Sequence, residues 1–285
     1  MRPVVDGAAA PTVSPVDAGR SELERQLALE PLGPDVHRGG AHPRGRHVFG
    51  GLIVAQALKA AHLSVAHGLW PHSLHASFLQ APDAAGALDH AVERTRDGAS
   101  FATRRVVVAQ GDGEPVLVMT ASFHAAEDGP SYQVPMPAGP LAAPEDLPPG
   151  RYDGPAFDCR DLPAGDGAGH RHARRMWFRA RGRLPTDPTL HLWGLAFASD
   201  HGPTRAVRQP HADHPGVEGR MSVSLDHSVW FHRPAPVDRW LLSELVPMST
   251  DAARGLAVGT IHTAEGVLVA TVAQEALLRL PEGAG

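Results

Sequence analysis

Two regions of the chain show apolar residues alternating with polar ones at the two-residue period of a half-buried strand. The first comprises residues 72–79 (HSLHASFL), 87–96, 101–110 and 115–123, the second residues 222–232 (SVSLDHSVWFH), 240–248, 255–262 and 267–279. Each set is preceded by one stretch with helical spacing. In residues 51–67 (GLIVAQALKAAHLSVAH), apolar positions such as Leu52, Ile53, Ala55 and Leu58 recur at intervals of three and four behind Gly50-Gly51. Residues 189–200 (TLHLWGLAFASD) repeat that spacing and stop before Gly202-Pro203. The two sets agree in order and in distance: Phe231 follows Phe78 by 153 residues, and the Val-Leu-Val run at Val267 follows the one at Val116 by 151. A duplication is predicted, each copy one helix wrapped by an antiparallel sheet, which is an α+β fold with segregated elements.

Between the copies, residues 127–169 hold nine prolines and seven glycines in 43 positions, with little regular apolar spacing. Such a stretch is expected to form little helix or sheet and to serve as a linker. The expected division is a disordered tail over residues 1–20, a first domain over 21–126, the linker over 127–169 and a second domain over 170–285. Each domain is near the common size for an independent unit.

Composition narrows the function. In 285 residues, 42% are hydrophobic, enough for a sizeable core, and 26 Lys and Arg against 31 Asp and Glu give a net charge of -5. That balance argues against a nucleic-acid partner. A single cysteine, Cys159, allows no intrachain disulfide and no multi-cysteine zinc site, as expected in a reducing, cytoplasmic setting. No 18-residue apolar run occurs, the first twenty residues lack the apolar stretch of a signal peptide, and the absence of asparagine excludes a glycosylation sequon, so a soluble protein without a membrane partner is expected. Eighteen histidines reflect the Ala-, Gly-, Pro- and Arg-rich composition, and the clusters His211-Asp213-His214 and His170-His172 are read as composition rather than metal sites. No G-x-S-x-G and no P-loop is present; Lys59 is the only lysine.

Three polar residues stand out against apolar surroundings. Along residues 267–278, Leu268, Ala270, Val272, Gln274, Ala276 and Leu278 form one face whose sole polar member is Gln274. On the second helix, Trp193, Ala196 or Phe197, and Asp200 share one stripe. Along residues 222–232, Val223, Leu225, His227, Val229 and Phe231 form the apolar face, and Ser224 falls on the polar one with Ser222, Asp226, Ser228, Trp230 and His232. An inward polar group without a partner costs about 1–3 kcal/mol, so such groups meet one another, water or a ligand. Pattern alone leaves Gln274 open between a core glutamine and a site residue, and favours Asp200 as a solvated helix end and Ser224 as a solvated strand serine.

The segments HVFGGLIVAQAL (His47 to Leu58), RDGASFATRRV (Arg96 to Val106), VMTASF (Val118 to Phe123), LDHSVWFHRP (Leu225 to Pro234), ARGLAVG (Ala253 to Gly259) and LVATVAQE (Leu268 to Glu275) resemble the acyl-CoA thioesterase II, or TesB-like, family. The resemblance covers both copies in order and skips the linker. It implies a double hotdog fold and hydrolysis of fatty acyl-CoA by direct attack of an activated water, with no cofactor and no metal. It also implies a site formed by Asp200 in Phe197-Ala198-Ser199-Asp200, Ser224 two residues before Asp226, and Gln274 in Val272-Ala273-Gln274-Glu275.

Asp200 would orient or deprotonate the water, Ser224 would offer its hydroxyl and Gln274 its amide. This chain departs from the family pattern at Ser224, where Thr is usual, at Leu52, where Gln is usual, at Gln80-Ala81-Pro82, where Arg-Pro-Gly is usual, and at Ala276, where Gly is usual. Two other readings fit the same shape: a silent acyl-CoA binder, and a MaoC-like hydratase, whose Asp and His five apart do not occur here. Arg104, Arg105, Arg233 and Arg254 lie near the matching motifs as unassigned candidates for the CoA phosphates. Because hotdog sheets pair edge to edge, a homo-oligomer, dimer or tetramer, is expected.

Overall fold

The computed structural model describes residues 19–43, 47–84, 86–137, 139, 141–163, 172–214, 217 and 222–279. The expected tail lies outside these residues except for residues 19 and 20, as does His170. Among the described residues, four α-helices, α1 (Glu22–Gln26), α2 (Gly50–Leu63), α3 (Pro188–Ser199) and α4 (Pro203–Arg208), accompany the strands. In the first half these are β1 (Leu29–Gly33), β2 (Val36–Gly40), β3 (Leu69–Phe78), β4 (Ala87–Asp97), β5 (Phe101–Ala109) and β6 (Pro115–Ala125). In the second they are β7 (Phe157–Asp161), β8 (Arg174–Ala180), β9 (Val223–Ser224), β10 (Asp226–Phe231), β11 (Leu241–Asp251), β12 (Arg254–Thr263) and β13 (Leu268–Leu277).

All strands belong to one antiparallel sheet in the order β1-β2-β4-β5-β6-β3-β10-β13-β12-β11-β8-β7, with β9 beside β13. The order reads the same from either end once β1 to β6 are matched to β7, β8, β10, β11, β12 and β13. The two copies meet edge to edge at β3 and β10, where Leu74 lies opposite Val229 and Ala76 opposite His227. This is the expected double hotdog, and joining the copies covers one edge of each.

Helices α2 and α3 are wrapped by the sheet and pack against each other. Their sequences are apolar nearly all round, as a helix without a solvent face requires: in α2 Leu52, Ile53, Val54, Ala55, Ala57 and Leu58 are all buried. Helix α3 begins with Pro188 behind Asp187, whose side chain accepts the Thr189 N–H. It ends where Gly202, at φ +110°, turns the chain into Pro203 and α4.

Within the described part of residues 127–169, where little helix or sheet was expected, one strand of the second half forms: edge strand β7, whose Phe157, Asp158 and Cys159 are buried and pair with β8. Alternation did not reveal β1, β2, β7 or β8: β1 and β2 are short and β1 is mostly exposed, and β8 (RRMWFRA) opens on two arginines and buries Met176, Trp177 and Phe178 in succession.

Candidate active site

Asp200 is the residue that closes α3, with only 7% of its surface exposed, so it is not a solvated helix end. The C-terminus of α3 abuts the N-terminus of α2. A Cβ built on Gly50 would lie 2.8 Å from Asp200 Oδ2, and one on Gly51 would lie 2.3 Å from the Phe197 carbonyl oxygen. Only glycine allows this approach. The N-cap residue of α2, Phe49, offers no side-chain cap, and the Gly51 backbone N–H donates to the Asp200 carboxylate instead. Burial pushes the Asp200 carboxyl up to about 7, outweighing the hydrogen bonds from the Gln274 amide and Gly51 that favour its ionised form.

Gln274 lies on the inner face of β13, fully buried with Val272 and Ala276, as the alternation predicts. Its Nε2 donates to Ser224 Oγ at 2.8 Å and also faces the Asp200 carboxylate. The structure thus brings all three residues together.

Ser224 reaches this position against the alternation, which places it on the outer, polar face. Residues 222–232 are not one continuous strand. β9 pairs Ser224 with Ala276, whereas β10 pairs Ser228 with Ala273, so one side carries an extra residue. This bulge between β9 and β10 flips the phase and turns Ser224 inward, onto the same side as His227. A shift of one residue inverts every side chain beyond it.

A fourth polar residue belongs to the cluster. His227 is fully buried, its Nδ1 2.5 Å from Gln274 Oε1 and its Nε2 2.8 Å from Ser199 Oγ. Burial pushes its imidazole down to about 4, so the ring is neutral at ordinary pH. The available signal was the same one that marks Gln274: a polar residue in an apolar row. In the first copy, 153 residues earlier, the pair Leu74 and Ala121 stands cross-strand where the second copy has His227 and Gln274. Both are fully buried and apolar, so only the second copy builds this cluster.

Aromatic rings enclose the Asp200 end. His201 stacks on Phe49 at 4.9 Å and on Tyr152 at 5.0 Å, and Phe49 lies 5.2 Å from Phe197. Tyr152 comes from the Pro/Gly-rich stretch, so that segment helps wall the site. Among the described residues, no group of three or more His, Cys, Asp or Glu is placed to hold a metal ion, His211, Asp213 and His214 included.

Of the arginines near the motifs, Arg104 is fully buried and directs its donors to Ser64, Asp97 and the carbonyls of Arg96 and Thr103. It holds the turn after α2 rather than a ligand. Arg105 pairs with Glu93, Arg254 with Glu275, and Arg233 bonds the Leu268 carbonyl.

Comparison with known proteins gives two family matches, an acyl-CoA thioesterase N-terminal domain over residues 37–124 and an acyl-CoA thioesterase model over residues 160–277. The second match begins inside β7, in keeping with that strand's place in the second half of the sheet. The chain is 32% identical to human acyl-coenzyme A thioesterase 8, covering 89% of this chain and 88% of that protein. It is 31% identical to acyl-CoA thioesterase 2 of Haemophilus influenzae, over 92% and 98%. The crystal structure of acyl-CoA thioesterase II TesB2 from Mycobacterium marinum superposes with a TM-score of 0.82 at 39% identity, covering 92% of this chain and 99% of that one.

Proposed function

The chain belongs to the acyl-CoA thioesterase family, and we propose that Asp200, Ser224 and Gln274 together activate the water that hydrolyses the thioester. The enzyme is an acyl-CoA thioesterase. The observation that carries the assignment of the site is the convergence of the Gln274 amide on both the Ser224 hydroxyl and the Asp200 carboxylate in a buried setting.

Asp200 takes a proton from water as its oxygen bonds to the thioester carbonyl carbon. The carbon–sulfur bond then breaks, and the proton passes to the departing CoA thiolate, leaving a free acid. A carboxyl held up at about 7 suits this role, because a base titrating near the working pH combines availability with proton affinity. Ser224 hydrogen-bonds the water, and Gln274 holds Ser224 and Asp200 in register. No covalent intermediate on Ser224 is required.

The test is thiol release from a C4 to C18 acyl-CoA series. Asp200→Asn lowers the rate at least about a hundredfold; an unchanged rate removes Asp200 from the mechanism. Acyl transfer onto Ser224, seen by mass spectrometry of a quenched reaction, replaces direct water attack with an acyl-enzyme. The chain acts as a homo-oligomer in the cytoplasm on this reading. The supporting features are the single cysteine, buried Cys159, and the outermost strands β1 and β7, each paired on one side only. Among the described residues no helix is long and apolar enough to cross a membrane.

A further inference from the structure

We infer that His227 is a positioning residue: as its Nδ1–H tautomer it locks the Gln274 carboxamide in the one orientation that presents the NH2 group to Ser224 and Asp200. The inference rests on the site proposed above and adds to it the group that fixes the amide.

A carboxamide has two ends of nearly equal size and opposite hydrogen-bonding sense. Gln274 Oε1 accepts only, so the 2.5 Å contact with His227 Nδ1 requires a proton on that nitrogen. Its Nε2 then has two donors, directed at Ser224 Oγ, 2.8 Å away, and at the Asp200 carboxylate. The reversed amide would put its oxygen against an ionised carboxylate and its NH2 against the imidazole N–H, two repulsions in a buried site. The orientation therefore depends on which imidazole nitrogen is protonated.

The far nitrogen of the ring has a partner that accommodates this tautomer. Ser199 Oγ lies 2.8 Å from His227 Nε2 and 2.8 Å from the Ala196 carbonyl oxygen; its one hydroxyl hydrogen serves a single acceptor at a time, and in the Nδ1–H tautomer it is free to turn from the carbonyl to Nε2. Helix α3 thus supplies the base, through Asp200, and a hydroxyl partner for the far nitrogen of His227, through Ser199. The first copy, with Leu74 and Ala121 at the equivalent places, shows that the fold itself accepts an apolar pair there.

Two substitutions separate positioning from structure. His227→Leu copies the first-copy residue and removes the donor; His227→Asn places a side-chain N–H near Nδ1. The expected result is a kcat lowered about 10- to 100-fold in His227→Leu with KM within about twofold, and recovery of most of that loss in His227→Asn. Full activity in a folded His227→Leu enzyme, or equal loss in both variants, overturns the inference. Asp200→Asn in the same assay keeps the two claims apart. If it is active, the site itself is misassigned; if it is inactive while His227→Leu is not, only the role of His227 fails.

Should neither His227 variant fold, long-range ¹H–¹⁵N spectra of ¹⁵N-histidine-labelled enzyme answer the question. The ring signal displaced by Ser199→Ala belongs to His227, and a protonated Nδ1 is expected. A protonated Nε2 overturns the inference.

Discussion

Asp226 Oδ1 accepts the backbone N–H of Glu275 at 2.7 Å. This contact stabilises the bulge that aims Ser224. The carbonyl of Leu225, the expected main-chain acceptor for that N–H, is taken by the Phe78 N–H at 2.9 Å across the joint between the copies, while Leu225 N donates to the Glu275 carbonyl. Without Asp226 the Glu275 N–H has no partner at the bulge. Asp226→Ala is expected to lower stability by about 1–3 kcal/mol and kcat by about tenfold, because Ser224 loses its register. Asp226→Asn keeps the acceptor and most of both properties. Urea unfolding together with thiol release measures the pair, and an Asp226→Ala enzyme with unaltered kcat shows that Ser224 is held by other means.

The pH–rate profile follows from Asp200. With its carboxyl held up at about 7, the base is protonated in acid, so kcat falls about tenfold per pH unit below that point and is flat above it. A profile flat down to pH 5 assigns proton removal to another group.

The same carboxyl makes the folded state sensitive to pH. Its value in the fold lies above the ordinary 3.8, so the native state holds the extra proton in between. Stability therefore falls as pH rises from about 4 to about 7 and levels off above. Asp200→Asn removes this contribution. The difference between the variant and the parent, followed by thermal unfolding, is expected to shift in the variant's favour across that window, and a constant difference contradicts it.

Gly51→Ala tests the helix contact. Its methyl carbon would come within 2.3 Å of the Phe197 carbonyl oxygen, a backbone atom that cannot rotate away. Separating α2 from α3 is expected to cost about 1–3 kcal/mol and to move Asp200 away from the α2 N-terminus. A lowered Tm with a lowered kcat is the expected result, and an unchanged Tm shows that the helices have room to part.

Arg104→Ala removes a fully buried guanidinium and five hydrogen bonds, two to Ser64 in the turn after α2 and three to the β4–β5 hairpin. The expected loss is about 2–4 kcal/mol, with KM for acyl-CoA unchanged because the Arg104 guanidinium is itself fully buried and spends its donors within the chain. A large rise in KM without a stability loss places Arg104 in substrate binding instead.

The doubled architecture was legible because periodicity is a property of neighbours along the chain. Helices α2 and α3 and the eight strands predicted by alternation follow from it, and so does the inward face that carries Gln274. Strands β1, β2, β7 and β8 were not: β1 and β2 are short, β7 lies among prolines that suggested only a linker, and in β8 Met176, Trp177 and Phe178 are buried in succession instead of alternating. Ser224 was legible through its motif but not through its pattern. His227 was visible in the same apolar row as Val229, yet nothing near it in sequence names Ser199 or Gln274 as its partners.

Residue order along the chain thus settled the repeat, the class of fold and which inward positions are polar, because each depends on spacing of a few residues. The folded pairing of strands settled where those polar groups meet. Ser224 faces inward because β13 is paired one residue out of step on either side of Leu225. Asp200 titrates near neutrality because two helices from separate copies bury it end to end. Register and burial arise from partners far apart in the chain, and no local pattern encodes them.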